Sequence, residues 1–255
     1  MTTQTREIFD TAIRCFPAPA FARRIRERLN DLRLEFSDYD SANGQMTGFD
    51  AQGEALFAGA ISDFVAAIPC FTLDTLLTTE SGPCRVADLA PDARLVTRDN
   101  GIQPLRWIGE RVFAARDLAL NPLLRPVRIR AGSLGPDIPQ SDLVVSPNHR
   151  ILSLGSDGQR EAMVMARDLV GNDGVEIIAP TDGVRYLQLL CDHHEMIMGE
   201  GAWVETFRPT PDSLAALEQG SRAELLAQRP DLFETSDYRP VRHDLSAPQR
   251  ILHDA

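Results

Sequence analysis

The apolar and polar positions of this chain fall into three stretches with different periods. Over residues 5–35 apolar side chains recur at helical spacing. Ile8, Ile13 and Phe16 come first, and after Pro17 and Pro19 an amphipathic stretch of alternating charge covers 23–34. Residues 38–53 are polar and contain glycine, which predicts a loop. A third apolar segment, 55–68, runs straight into Pro69. Residues 1–69 are therefore expected to form a helical N-terminal segment.

From Cys70 onward the period shortens. Candidate strands are 72–79, 94–97, 103–108, 126–130, 142–146, 175–179 and 184–190, separated by turn residues, with Asp99-Asn100-Gly101 the clearest hairpin signal. Many short strands predict an all-β unit over 70–207. After Arg208 the pattern turns helical again, with Thr210-Pro211-Asp212 as a helix start ahead of Leu214, Leu217, Leu225 and Leu226. Residues 208–255 thus read as a helical C-terminal appendage ending in a loose tail that carries Pro240 and Pro248.

Composition restricts the chemistry. The 255 residues are 43% hydrophobic, enough for a substantial core, and the formal net charge of -11 argues against nucleic acid or an anionic lipid surface as a partner. All 26 basic residues are arginine, so Schiff-base chemistry, a P-loop lysine and a lysine general base are excluded. Cys15, Cys70, Cys84 and Cys191 are widely spaced without a CxxC pair, which disfavours a disulfide scaffold or a four-thiolate zinc site. Residues 1–16 carry Arg6, Glu7, Asp10 and Arg14 among their apolar positions and do not resemble a signal peptide. Nor does any apolar run reach the roughly 18 residues a membrane helix needs. The expected location is cytoplasmic, with export by a route lacking a cleavable signal left open, and no membrane span is expected.

Two short motifs carry candidate chemistry. Pro69-Cys70-Phe71-Thr72 opens the β region, and Ser146-Pro147-Asn148-His149 closes a later strand. A thiolate is a nucleophile and an imidazole can protonate a departing backbone nitrogen, so the peptide bond before Cys70 could rearrange to a thioester, making the chain its own substrate. Each residue has a plainer reading. A lone cysteine in an apolar run is more often a small buried side chain, a lone histidine is more often a satisfied one, and a serine before proline is a common turn residue. Cys191-Asp192-His193-His194-Glu195 offers zinc-ligand types, and a zinc hydrolase is a competing reading. Adjacent residues on a strand point to opposite faces, however, so His193 and His194 cannot share one ion without a turn, and no metal or cofactor is expected.

Several ordered blocks together resemble the bacterial Hint (hedgehog/intein) domains. They are Cys70-Phe71-Thr72-Leu73-Asp74-Thr75-Leu76-Leu77, Val86-Ala87-Asp88-Leu89, Leu95-Val96-Thr97-Arg98-Asp99-Asn100-Gly101, Pro104-Leu105-Arg106-Trp107-Ile108-Gly109, Ser146-Pro147-Asn148-His149-Arg150, His194-Glu195 and Gly199-Glu200-Gly201-Ala202-Trp203. The resemblance covers about residues 70–207 and implies a mainly-β Hint fold there. It further implies Cys70 as nucleophile, His149 as general acid, Ser146 as orienting hydroxyl and His194 as an assistant, with cleavage at Pro69-Cys70. Serine stands at 146 where the family most often has threonine, which keeps the hydroxyl and loses a methyl. Glu110 is the nearest acid to the place where hedgehog domains carry an aspartate.

An intein ends in His-Asn before a nucleophile, whereas this chain has Trp203-Val204-Glu205-Thr206, and Asn172 is its last asparagine. Full splicing by asparagine cyclisation is therefore not expected, and Glu205 and Thr206 are expected to be dispensable for N-terminal cleavage. The N-terminal segment is the expected substrate. The acyl acceptor is left open among water, a thiol or another nucleophile, and the alternative is a non-cleaving Hint-fold binding or scaffold module.

Overall fold

The computed structural model describes residues 33–37, 45–49, 52–60, 69–120, 124–154, 161–210, 213–214, 217, 219–233 and 238–242. Its first three strands are β1 (Arg33–Ser37), β2 (Gln45–Phe49) and β3 (Ala55–Ala60), which form an antiparallel sheet of their own. This corrects the expected helical segment and loop wherever that region is described. Arg33-Leu34-Glu35-Phe36-Ser37 alternates polar and apolar residues with a period of two, the signature of a strand, and Gly53 at φ +82° supplies the left-handed turn between β2 and β3. The helices expected over 5–32, with Cys15, and the segment 61–68 lie outside the described residues.

The second sheet has 13 strands. In chain order they are β4 (Phe71–Thr72), β5 (Leu76–Thr79), β6 (Gly82–Arg85), β7 (Arg94–Val96), β8 (Ile102–Phe113), β9 (Val127–Ile129), β10 (Leu143–Val145), β11 (Arg150–Leu154), β12 (Glu161–Met165), β13 (Val175–Ile177), β14 (Val184–Cys191), β15 (Met196–Gly199) and β16 (Ala202–Glu205). A short helix α1 (Ala115–Leu120) follows β8, and α2 (Gln219–Gln228) lies in the C-terminal appendage. Strand order is β12-β11-β16-β15-β5-β7-β8-β14-β4-β10-β9-β13, with β6 paired to β5. The core between the strands is built from residues such as Phe71, Leu77, Leu95, Leu105, Val127, Ile129, Leu143, Val145, Ile151, Leu189, Ile197 and Val204.

Every expected strand is present, with instructive differences. The run 72–79 is split by a turn at Leu73-Asp74, where the Thr75 N–H donates to the Thr72 carbonyl. The Asp99-Asn100-Gly101 turn joins β7 to β8, closed by the Thr97 N–H on the Gly101 carbonyl at 2.8 Å. The hairpin of β15 and β16 was not among the expected strands. Its signal is Glu200-Gly201, both at positive φ and pairing Gly199 with Ala202, the two-residue turn whose twist matches that of the flanking strands.

The C-terminal appendage is helical where described. Thr210 caps its start, its hydroxyl accepting from the Ser213 N–H at 3.1 Å and its carbonyl from the Leu214 N–H at 2.8 Å. The tail departs from expectation, because residues 238–242 are docked against the large sheet. The Tyr238 hydroxyl donates to the Cys191 carbonyl at 2.6 Å, and Arg242 pairs with both Asp99 and Glu161. A proline and scattered charges suggest a solvated tail when read along the chain, yet these charges find partners on distant strands.

Candidate active site

The register of three strands builds the site. Phe71 on β4 pairs with Val145 on β10 and with Leu187 on β14, both antiparallel. One residue earlier, Cys70 is therefore flanked by Ser146 on one side and Gln188 on the other. The peptide of Cys70 is held by the first of these. Its N–H donates to the Ser146 hydroxyl at 3.0 Å, and its carbonyl accepts from the Ser146 N–H at 3.0 Å.

Pro147 then turns the chain back. It occupies the second position of a turn in which the His149 N–H donates to the Ser146 carbonyl at 3.0 Å, as the fixed φ of proline favours. The turn is anchored by the Ala166 and Arg167 amides, which donate to the carbonyls of His149 and Pro147. It delivers the imidazole to Cys70, with Nδ1 at 3.1 Å from the Cys70 carbonyl oxygen and the ring edge-on to Phe71 at 4.4 Å between centroids. A carbonyl can only accept, so Nδ1 carries the proton. Buried Nε2 keeps its lone pair and has no hydrogen-bond partner among the described residues.

Burial governs the protonation of this centre. It pushes the Cys70 thiol up to about 11, against the charge of Arg111 and hydrogen bonds from Gln188 and Ser146. It pushes His149 down to about 4, against Glu205 and the Cys70 carbonyl, so the imidazole is neutral at pH 7. Both groups rest uncharged.

Gln188 and Arg111 were not foreseen from sequence. Gln188 is fully buried and its Nε2 donates to the Cys70 sulfur at 3.3 Å, while its Oε1 has no hydrogen-bond partner among the described residues. An orphaned buried oxygen of this kind costs about 1–3 kcal/mol. Arg111 lies on the buried face of β8 with its guanidinium 5.0 Å from the Phe113 ring. The neighbouring Glu110 points the other way, half-exposed and paired with Arg185, so it does not stand where an acid of the site would. The strand alternation that separates the two would have revealed Arg111 had the register of β8 been known.

His194 belongs to a second cluster. The Val241 N–H donates to its Nδ1 at 3.1 Å, so Nε2 bears the proton and donates to Glu205 Oε2 at 3.1 Å. Glu205 also accepts from the Arg150 N–H at 3.1 Å and from its guanidinium at 3.2 Å. Burial raises the Glu205 carboxyl, but the His194 hydrogen bond and the charge of Arg150 outweigh it and hold the group below the usual carboxylate range. Glu205 is thus a buried hub that joins His194 to Arg150. Thr206 is buried too, exchanging hydrogen bonds with Glu195.

The structure therefore brings Cys70, Ser146 and His149 together and engages both nitrogens of His194 elsewhere. Adjacent His193 is exposed while His194 is buried, and both lie in the bend between β14 and β15 rather than on a strand, so strand alternation does not apply to them. Among the described residues no three His, Cys, Asp or Glu side chains gather as metal ligands, and no helix is long and apolar enough to cross a membrane. Burial, with help from the Glu195 and Asp192 charges, pushes the Cys191 thiol up to about 12, and Cys84 is partly exposed.

Comparison with known proteins gives one match by family. A family model described as a Hint domain matches residues 69–211. No curated protein matches the chain. Among solved structures, a DnaB intein from Synechocystis sp. PCC 6803 is similar at 14% identity and a TM-score of 0.33, covering 54% of this chain and 98% of that one. The gp41-1 intein is similar at 8% identity and a TM-score of 0.33, with 53% and 97% covered. A bacterial intein-like domain from Clostridium thermocellum is similar at 11% identity and a TM-score of 0.39, with 54% and 97% covered.

Proposed function

The chain belongs to the Hint-domain family, which is of autoprocessing type, and from that premise we propose that it cleaves its own Pro69-Cys70 bond through a thioester at Cys70, without splicing. The observation that carries this reading is the grip on the Cys70 peptide. The nitrogen that must leave is hydrogen-bonded to the Ser146 hydroxyl at 3.0 Å, and the His149 imidazole stands at the carbonyl of the same residue, 3.1 Å away.

The step is an isomerisation. Sγ loses its proton and attacks the Pro69 carbonyl carbon, so a C–S bond forms as the C–N bond breaks. The proton lost from sulfur is balanced by the one gained at nitrogen, which becomes the α-amine of Cys70. The lowered pKa of His149 makes its imidazolium a strong acid, suited to protonating an amide nitrogen that is itself a poor base. A shift of the ring from oxygen to nitrogen within one residue would bring it into line. Ser146 orients that nitrogen, and His194 contributes only by holding Glu205 and the C-terminal strands in place. Water, a thiol or another nucleophile then takes the acyl group, releasing residues 1–69.

A second reading, a Hint-fold module that binds or scaffolds without cleaving, draws support from the Cys70 thiol at about 11, which leaves little thiolate at neutral pH. Intact mass separates the two. Hydroxylamine or a small thiol should release residues 1–69 from the full chain and leave a fragment beginning at Cys70, and Cys70→Ala should abolish release. A wild-type chain that stays intact through long incubation gives the molecule to the second reading.

A further inference from the structure

Gln188 sits between Leu187 and Leu189 on a strand buried on both faces, and it is the polar residue there whose amide reaches sulfur. We propose that Gln188 is a catalytic residue of the cysteine centre, whose amide N–H holds the Cys70 sulfur and stabilises it as the attacking thiolate. This rests on the processing reading above and assigns a role to a side chain that reading does not use.

Four observations converge on it. The register that sets Ser146 beside Cys70 on β10 sets Gln188 beside it on β14, so the two strands enclosing the nucleophile each present one polar group. The amide nitrogen lies 3.3 Å from Sγ and the side chain is wholly buried, so water does not compete for the bond. On its other flank Gln188 pairs with Gly109 on β8, where a Cβ would come within 2.5 Å of Gln188 Oε1 and 2.1 Å of the Trp107 ring. The glycine makes the room the amide occupies. Finally, Arg111, two residues on along the same face of β8, adds a buried positive charge that favours negative sulfur.

A leucine in place of Gln188 would fill much of this space and leave no oxygen orphaned, so packing alone does not account for an amide here. The chemistry does. With the thiol at about 11, the thiolate fraction at pH 7 is on the order of 10⁻⁴, and a group that favours thiolate raises the rate directly. Gln188 donates a hydrogen bond only. The proton that leaves sulfur does not pass through it, and the amide is unchanged at the end of the step.

The test uses the full chain labelled with 13C at cysteine, in which the Cβ resonance of Cys70, assigned by Cys70→Ser, reports ionisation without requiring access to the buried thiol. Gln188→Leu and the nearly isosteric Gln188→Met should move the onset of the alkaline Cβ shift upward by about one pH unit. They should also slow hydroxylamine-induced release about three- to tenfold, the loss of thiolate being partly offset by its greater basicity. Gln188→Glu should move the onset further, since a carboxylate repels the thiolate. An unchanged onset in Gln188→Leu and Gln188→Met, both retaining the dispersed amide spectrum of the wild type, overturns the proposal. If the wild type releases nothing, the processing reading fails by itself, while the Cβ onset still decides whether Gln188 stabilises the thiolate.

Discussion

His149 and His194, both buried, stand in opposite environments. At His149 and Cys70 burial drives both groups to their neutral forms, and polar atoms are left over: Nε2 of His149 and Oε1 of Gln188 have no hydrogen-bond partner among the described residues. At His194 and Glu205 the same depth of burial holds a charged carboxylate, because Arg150, His194 and the backbone supply its partners, and both nitrogens of His194 are engaged. Even the tautomers differ, Nδ1–H in His149 and Nε2–H in His194. A centre with unmet hydrogen-bonding capacity has room to change partners during a reaction, whereas a saturated cluster resists movement. The first is suited to chemistry and the second to holding the sheet, and the C-terminal strands it joins, in place.

The comparison can be broken most directly at its reactive side. His149→Ala should slow thiol-induced release of residues 1–69 by about 10² to 10⁴, the usual worth of a positioned acid, as followed by intact mass over time. Glu205→Ala should instead act on stability. It removes the carboxylate that partly buried Arg150 and buried His194 share, and denaturant unfolding should show a loss of about 3 kcal/mol. If Glu205→Ala unfolds like the wild type but cleaves as slowly as His149→Ala, the two clusters are one catalytic unit and the division drawn above is wrong.

The pH dependence of stability sharpens the contrast. The folded-state pKa of His149 is below its unfolded value, so the unfolded chain binds the extra proton. Its contribution is complete above about 6.5 and is lost as pH falls toward about 4. The amount is on the order of 3 kcal/mol, and His149→Gln should flatten the unfolding free energy across that window. Glu205, whose carboxyl is depressed, contributes with the same sign, stability being lost as pH falls through its folded value, so the slope that survives in His149→Gln should shrink further in Glu205→Gln.

The smallest effect is expected at the docked tail. Arg242 pairs with Asp99 and Glu161 at partly exposed positions, and Arg242→Ala should cost no more than about 1 kcal/mol. Faster amide exchange at Val241 would accompany it if these ion pairs are what hold the Val241 N–H on His194.

Much of the site is legible in the sequence. Cys70, Ser146 and His149 were readable because their residue types, in that order among several ordered blocks, resemble a family pattern. Gln188 and Arg111 were not, since a glutamine in a leucine-rich strand and an arginine beside a glutamate carry no local signal. The three-stranded sheet of β1 to β3 was misread for a related reason: strands of five or six residues show a two-residue period too briefly to outweigh the longer helical pattern beside them.

By itself, then, the sequence determined the local elements whose cause is local: the Asp99-Asn100-Gly101 turn, the Pro147 turn that bends His149 back, and the Thr210 cap. What lies across the nucleophile was decided by the tertiary structure alone. Gln188 meets Cys70, and Val241 meets His194, because strand register and the path of the C-terminal segment bring them there. Register depends on how every strand in the sheet buries its apolar face at once, and no stretch of chain shorter than the whole sheet contains that information.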